Sequence, residues 1–210
     1  MLLASLDDAQ RPQRERAQIV IAMASLAGVR GGWNAAESLF NRAYALDPID
    51  APLAWARVLA LPGLEPPREL IGRAVSSLRE THPASSAELA QTDLLRALLT
   101  MRLGDDEPAR LAVERHSARS PGDYRERALW LEVAARRLLA LGKPDDALTL
   151  LTASNNPPAR PPLRYLRGEV LEALHRPREA LGWYDVSAQD YGGEAFVVAI
   201  ARAHRRLDGH

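Results

Sequence analysis

The side chains with most to offer chemically are five histidines and two acidic clusters. His82, His116, His175, His204 and His210 are candidate metal ligands or proton carriers. None stands in the H-E-x-x-H spacing that puts two imidazoles on one helix face, and His116 and His175 fall at packing or turn positions. Asp105-Asp106-Glu107 and Asp145-Asp146 resemble cation ligands, yet both precede predicted helices, where carboxylates cap free amides and face the positive end of the dipole. Gly31-Gly32 and Gly192-Gly193 read as turns, so no glycine-rich phosphate loop is expected. No catalytic constellation, cofactor site or metal site follows from these residues.

The bulk properties narrow the classes further. A chain of 210 residues with 47% hydrophobic content can bury a sizeable core. It has no cysteine, which excludes disulfides and thiolate chemistry. Twenty-seven basic and 27 acidic residues cancel, which argues against a general polyanion binder. Lys143 is the single lysine, a bias that a GC-rich genome explains more simply than selection for bidentate arginine contacts. The groups Arg11–Arg16 and Arg202–Arg206 lack the interleaved aromatics of base stacking, so no nucleic-acid partner is expected. The amino terminus has a short apolar start followed by two aspartates, and no apolar run spans a bilayer. No signal, no membrane association and a cytoplasmic location by default are the expectations.

The elements that must position these residues are helices. Ala17, Val20, Ile21, Ala24 and Ala27 follow helical spacing from about Arg11 to Val29, with Gly28, Gly31 and Gly32 punctuating the end. Residues 31–48 supply a second helix, stopped at Asp47-Pro48 because proline lacks an amide hydrogen and constrains the residue before it. A hairpin from about Ala51 to Glu80 breaks at Pro62-Gly63, and Pro66-Pro67 opens its second helix. A third, Ser85 to Arg119, turns at Gly104 with Asp105 as helix cap. A fourth, Tyr124 to Ala153, turns at Gly142. Asn155 through Pro162 then reads as an extended connector, followed by a fifth unit from Leu163 to Gln189. A last helix, Glu194 to Leu207, carries the apolar face Phe196, Val197, Ile200 and Ala203, with Arg202, Arg205 and Arg206 near its carboxyl end.

One pattern recurs through these units. Ala36, Phe40, Ala43 and Pro48 stand in the order Ala-x3-Phe-x2-Ala-x4-Pro. Ile71, Val75 and Leu78, then Ala109, Val113 and His116, then Ala147 and Leu151, then Ala180 and Tyr184 repeat it. The anchors Ala36, Ile71, Ala109, Ala147 and Ala180 lie 35, 38, 38 and 33 residues apart, which places extra residues in the first helices or turns of units three and four. Trp55 and Val58 precede the second copy. The pattern resembles the tetratricopeptide repeat family, in a degenerate form of bacterial type, over about residues 12–207.

The resemblance implies an all-α fold: a right-handed α-solenoid of about five helical hairpins plus a C-terminal capping helix. It forms one domain over 11–210 behind a flexible leader at 1–10; a split at 155–162 is the less economical reading. First helices line a concave wall in this family, which points to groove positions Gln91, Leu94, Leu98 and Met101, then Glu132 and Arg136, then Tyr165, Glu169 and Glu172. Plain core is the competing reading for the leucines and Met101, and a solvated face for the charged residues. The lysine clamp that some members use for a terminal carboxylate is absent, since its first-unit positions hold Ile21 and Ser25. The implied function is a non-enzymatic scaffold or adaptor docking a protein or peptide partner in the groove. The alternative is a regulatory or assembly domain that self-associates or docks a subunit through its terminal helices, motivated by zero net charge and an exposed apolar face on the last helix.

Overall fold

The computed structural model describes residues 12–81, 85–117, 124–153, 161–191, 200–201 and 203–206. Among them every regular element is a helix. In order these are α1 (Gln13–Val29), α2 (Trp33–Leu46), α3 (Asp50–Ala60), α4 (Arg68–Glu80), α5 (Ser86–Leu103), α6 (Glu107–Ser117), α7 (Tyr124–Ala140), α8 (Pro144–Ala153), α9 (Pro161–Ala173) and α10 (Pro177–Tyr191). Residues 200–201 and 203–206 are also helical. No helix among the described residues is long and apolar enough to cross a membrane.

Local chemistry sets the ends. The Ser85 hydroxyl accepts a hydrogen bond from the Glu88 amide at 3.2 Å and caps α5. Four helix pairs are joined by three-residue turns, 30–32, 104–106, 141–143 and 174–176. Each turn has one residue in the left-handed region: Gly31 (φ 80°), Gly104 (91°), Gly142 (70°) and His175 (59°). Glycine adopts that geometry without a Cβ penalty, whereas His175 accepts strain to do so. The turn between α3 and α4 is different. It runs for seven residues, 61–67, and has its left-handed residue at Gly63 (φ 72°).

Each odd-numbered helix packs on the even one that follows it, and also on the next odd one, so α1, α3, α5, α7 and α9 touch in series. The spaced anchors sit where these helices approach. Ala36, Ala109, Ala147 and Ala180 have no exposed surface, and Ile71 is 3% exposed. A small side chain there lets neighbouring backbones close in, and a bulky one four residues on fills the space beside it. Phe40 does this in α2, stacking on Trp55 of α3 at 5.1 Å between ring centroids. The extra residues expected in the third and fourth units lie in their first helices, α5 with 18 residues and α7 with 17.

Four local expectations need correction. Gly28 lies inside α1 rather than ending it; a Cβ there would come within 2.8 Å of the Trp33 ring, so it makes room for that indole. Asp105 stands two residues before α6, where its carboxylate accepts from the Glu107 amide at 3.2 Å. Pro161 and Pro162 open α9 rather than extending the connector, as suits a residue with no amide to offer. Ile200 and Ala203 are buried, against the expected exposed face on the last helix. Phe196, Val197, Gly192-Gly193, Arg202 and the leader at 1–10 lie outside the described residues.

Gly168 shows how tight the α9–α10 pair is, because a Cβ at this position would lie 2.4 Å from the Tyr184 ring. Gly168→Ala is expected to lower stability by about 1–3 kcal/mol through overpacking. Gly72→Ala, with open space around it in α4, is expected to leave stability unchanged or raise it by up to about 1 kcal/mol. Urea denaturation of the two variants checks the contrast.

Candidate functional site

Two neighbouring depressions run along the row of odd-numbered helices. The first, about 490 Å³, is bounded by Leu98, Met101 and Arg102 of α5, Arg136 and Leu139 of α7, Glu169 and Ala173 of α9, and the start of the 61–67 turn. The second, about 610 Å³, is bounded by Gly63, Leu64 and Glu65, by Tyr165, Glu169, Glu172 and Ala173 of α9, and by Arg206. Gly63, Glu169 and Ala173 border both, so the two are compartments of one groove.

A charged seam holds its floor. Arg136 reaches Glu132 one turn back on α7 at 3.2 Å and Glu169 on α9 at 3.1 Å. Burial works against the Arg136 charge, but Glu169 and Glu132 outweigh it and raise its pKa. Glu132 is only 6% exposed, so taking Arg136 away would leave a buried carboxylate without its arginine, at a cost of about 3–5 kcal/mol. Further along, Arg206 makes two hydrogen bonds to Glu172, at 2.5 and 2.7 Å, and the Tyr184 hydroxyl donates to the same carboxylate at 2.9 Å. The bonds from Arg206 hold Glu172 below the usual carboxylate range, against the effect of burial. Burial, and next the field of Glu169, pushes the Tyr165 hydroxyl up to about 12.

Arg102 acts on the turn. Its guanidinium donates to the carbonyls of Leu59 (2.5 Å), Leu61 (3.2 Å) and Leu64. These are carbonyls at and beyond the end of α3, where the helix has no amide partner left for them and its dipole favours a cation. Burial, and then the nearby Arg136, lowers the Arg102 pKa. The first compartment therefore carries two arginines and one glutamate, the second one arginine and three glutamates.

Six of the nine residues expected to line the groove border these compartments: Leu98, Met101, Arg136, Tyr165, Glu169 and Glu172. The other three do not border them. Leu94 is fully buried core, Glu132 lies beneath Arg136, and Gln91 accepts a 2.6 Å hydrogen bond from Arg57 where α3 meets α5. Sequence reasoning did not place Arg102, Leu139, Ala173, Arg206 or the 61–67 turn in the groove. A trace of Arg102 was visible, since it is a lone cation beside Met101 in an otherwise uncharged stretch, Leu98 to Leu103.

The described histidines, His116, His175 and His204, do not come together in a second site. His116 is 4% exposed, its imidazole 3.6 Å from Asp93 and 3.7 Å from Glu126. His204 pairs with Asp185 at 2.9 Å. Among the described residues no group of three or more histidines, cysteines or acids is arranged to hold a metal ion. Comparisons with known proteins find no family model that matches the chain, no curated protein that matches it and no matching solved structure.

The Glu172 and Tyr165 environments set a pH window. Glu172 has a depressed folded-state pKa, so its contribution is complete above the unfolded value of 4.5 and fades as pH falls below it. Tyr165 has a raised one, so its contribution is complete below 10 and is lost as pH rises toward 12. Urea midpoints measured across pH are expected to fall at both ends. Glu172→Gln is expected to flatten the acid limb and leave the alkaline one in place.

Proposed function

We propose that this protein is a non-enzymatic interaction scaffold of tetratricopeptide type, a right-handed α-solenoid of helical hairpins that docks a protein or peptide segment in its inner groove. The observation that carries the reading is the shared lining. Residues at matching positions on three successive odd helices, Leu98, Arg136 and Glu169, each 11 residues before its anchor, border one depression. Apolar walls with a few fixed charges at the floor suit a ligand that brings apolar side chains and polar backbone together. The charges are already paired within the chain, which fits recognition and gives no poised acid or base for catalysis.

A second reading, assembly through a surface outside the groove, draws on a smaller depression of about 290 Å³ bordered by Tyr44, Pro48, Ile49 and Leu53. Tyr44 and Ile49 are 38% and 58% exposed there. The last helix contributes less to that reading, because Ile200 and Ala203 are covered.

Ala173 is the residue on which to test the groove. It is exposed, borders both compartments and ends α9, so a long cation there blocks the groove and agrees with the helix dipole. Ala173→Arg is expected to keep the wild-type unfolding midpoint and to lose partner capture from native lysate by about tenfold or more, as for a blocked central contact. Equal capture by a folded variant moves the interface to Tyr44 and Ile49, where Ile49→Asp then abolishes it.

A further inference from the structure

Four of the five helix pairs reverse direction in three residues, so the seven of the 61–67 turn exceed what the reversal needs. The excess is not left in solvent. Leu64 is 4% exposed and joins an apolar cluster with Tyr165, Leu171, Tyr184, Ile200 and Ala203, all from the far end of the chain. Pro62 and Pro66 are buried, and Arg102 holds two carbonyls of the stretch, those of Leu61 and Leu64, beside that of Leu59 in α3. The turn thus lies in the groove as a partner segment would, its backbone on an arginine and Leu64 in a socket.

We infer that residues 61–65 are a built-in ligand of the groove, a strap that a partner segment of the same chemistry displaces. That chemistry is a stretch that turns at a Pro-Gly pair, with a leucine on each side of it and carbonyls for the arginine. The inference rests on the scaffold reading above, and adds to it what the groove selects and what keeps it closed. Arg102 reads main-chain carbonyls, so a foreign backbone satisfies it as well as the chain's own. The leucine socket supplies the selectivity. Tethering gives the strap an effective concentration of roughly millimolar, which a free segment must overcome. Its prolines lower the entropy lost on docking.

The probe is a labelled peptide of residues 59–67, titrated by fluorescence anisotropy into the full chain and into its Leu64→Ser variant. Leu64→Ser withdraws the strap's leucine and leaves the socket residues untouched. The variant is expected to bind the peptide at least about tenfold more tightly than the wild type, the intramolecular competitor having been weakened. A peptide carrying the same serine is expected not to bind. Equal affinity for both chains, or no binding to a folded variant, overturns the proposal. If the variant does not fold, hydrogen exchange in the wild type decides. Excess peptide must speed exchange at Gly63, Leu64 and Glu65, and unchanged exchange overturns the strap. The peptide result is independent of any natural partner. A failed strap with capture still lost in Ala173→Arg therefore leaves the scaffold reading standing, whereas failure of both removes it.

Discussion

The contact on which the groove most depends is the bridge from Arg136 to Glu132 and Glu169. A charge enclosed between stacked helices cannot be left alone, because its desolvation is returned only by a well-placed opposite charge. Arg136 meets that demand for two helices at once, joining α7 to α9 along the row. Sliding α9 by one helical turn, about 5.4 Å, would break the bond to Glu169 and strip the buried seam of one carboxylate. The bridge therefore sets the register of the inner wall as well as its charge. Apolar packing at Leu98, Leu139 and Ala173 tolerates small shifts far better, since burial is proportional to area and not to direction.

Arg102 completes the arrangement from the other side. Its carbonyl bonds tie the end of α3 and the 61–67 turn to α5, while Leu64 ties the same turn to the cluster around Tyr165 and Ile200. Early and late parts of the chain thus meet through one loop. Helices that only stack in series hold each other pairwise, and a cross-link of this sort restrains the row as a whole. The loop also stands between the two compartments, with Gly63 bordering both.

Much of this was legible in the residues. The anchor series was visible as spacing because a helix that packs closely needs a small residue at a fixed phase, and Ala36, Ala109, Ala147 and Ala180 are indeed covered completely. The helical phase of the first helices was legible too, and Met101, Arg136 and Glu169 border one depression. The break at Pro62-Gly63 was legible, but the length of the turn left no mark on the repeat spacing, for a physical reason. Helix α3 has only 11 residues, and its shortness offsets the long turn, so Ala36 and Ile71 keep an ordinary separation. Gly28 shows a second limit. Composition cannot tell a glycine that turns the chain from one that yields space to Trp33, because the neighbour that occupies the space comes from another helix.

The measurement that tests the scaffold claim most directly is site-specific photo-crosslinking in native lysate. One chain carries the crosslinker at Ala173 in the groove, a second at Leu111, an exposed position on α6 away from both compartments. The account predicts a discrete crosslinked protein from Ala173 that maps to a short leucine- and proline-containing segment, and none from Leu111. Crosslinking from Leu111 with none from Ala173 would contradict it, and would place recognition outside the row of odd-numbered helices.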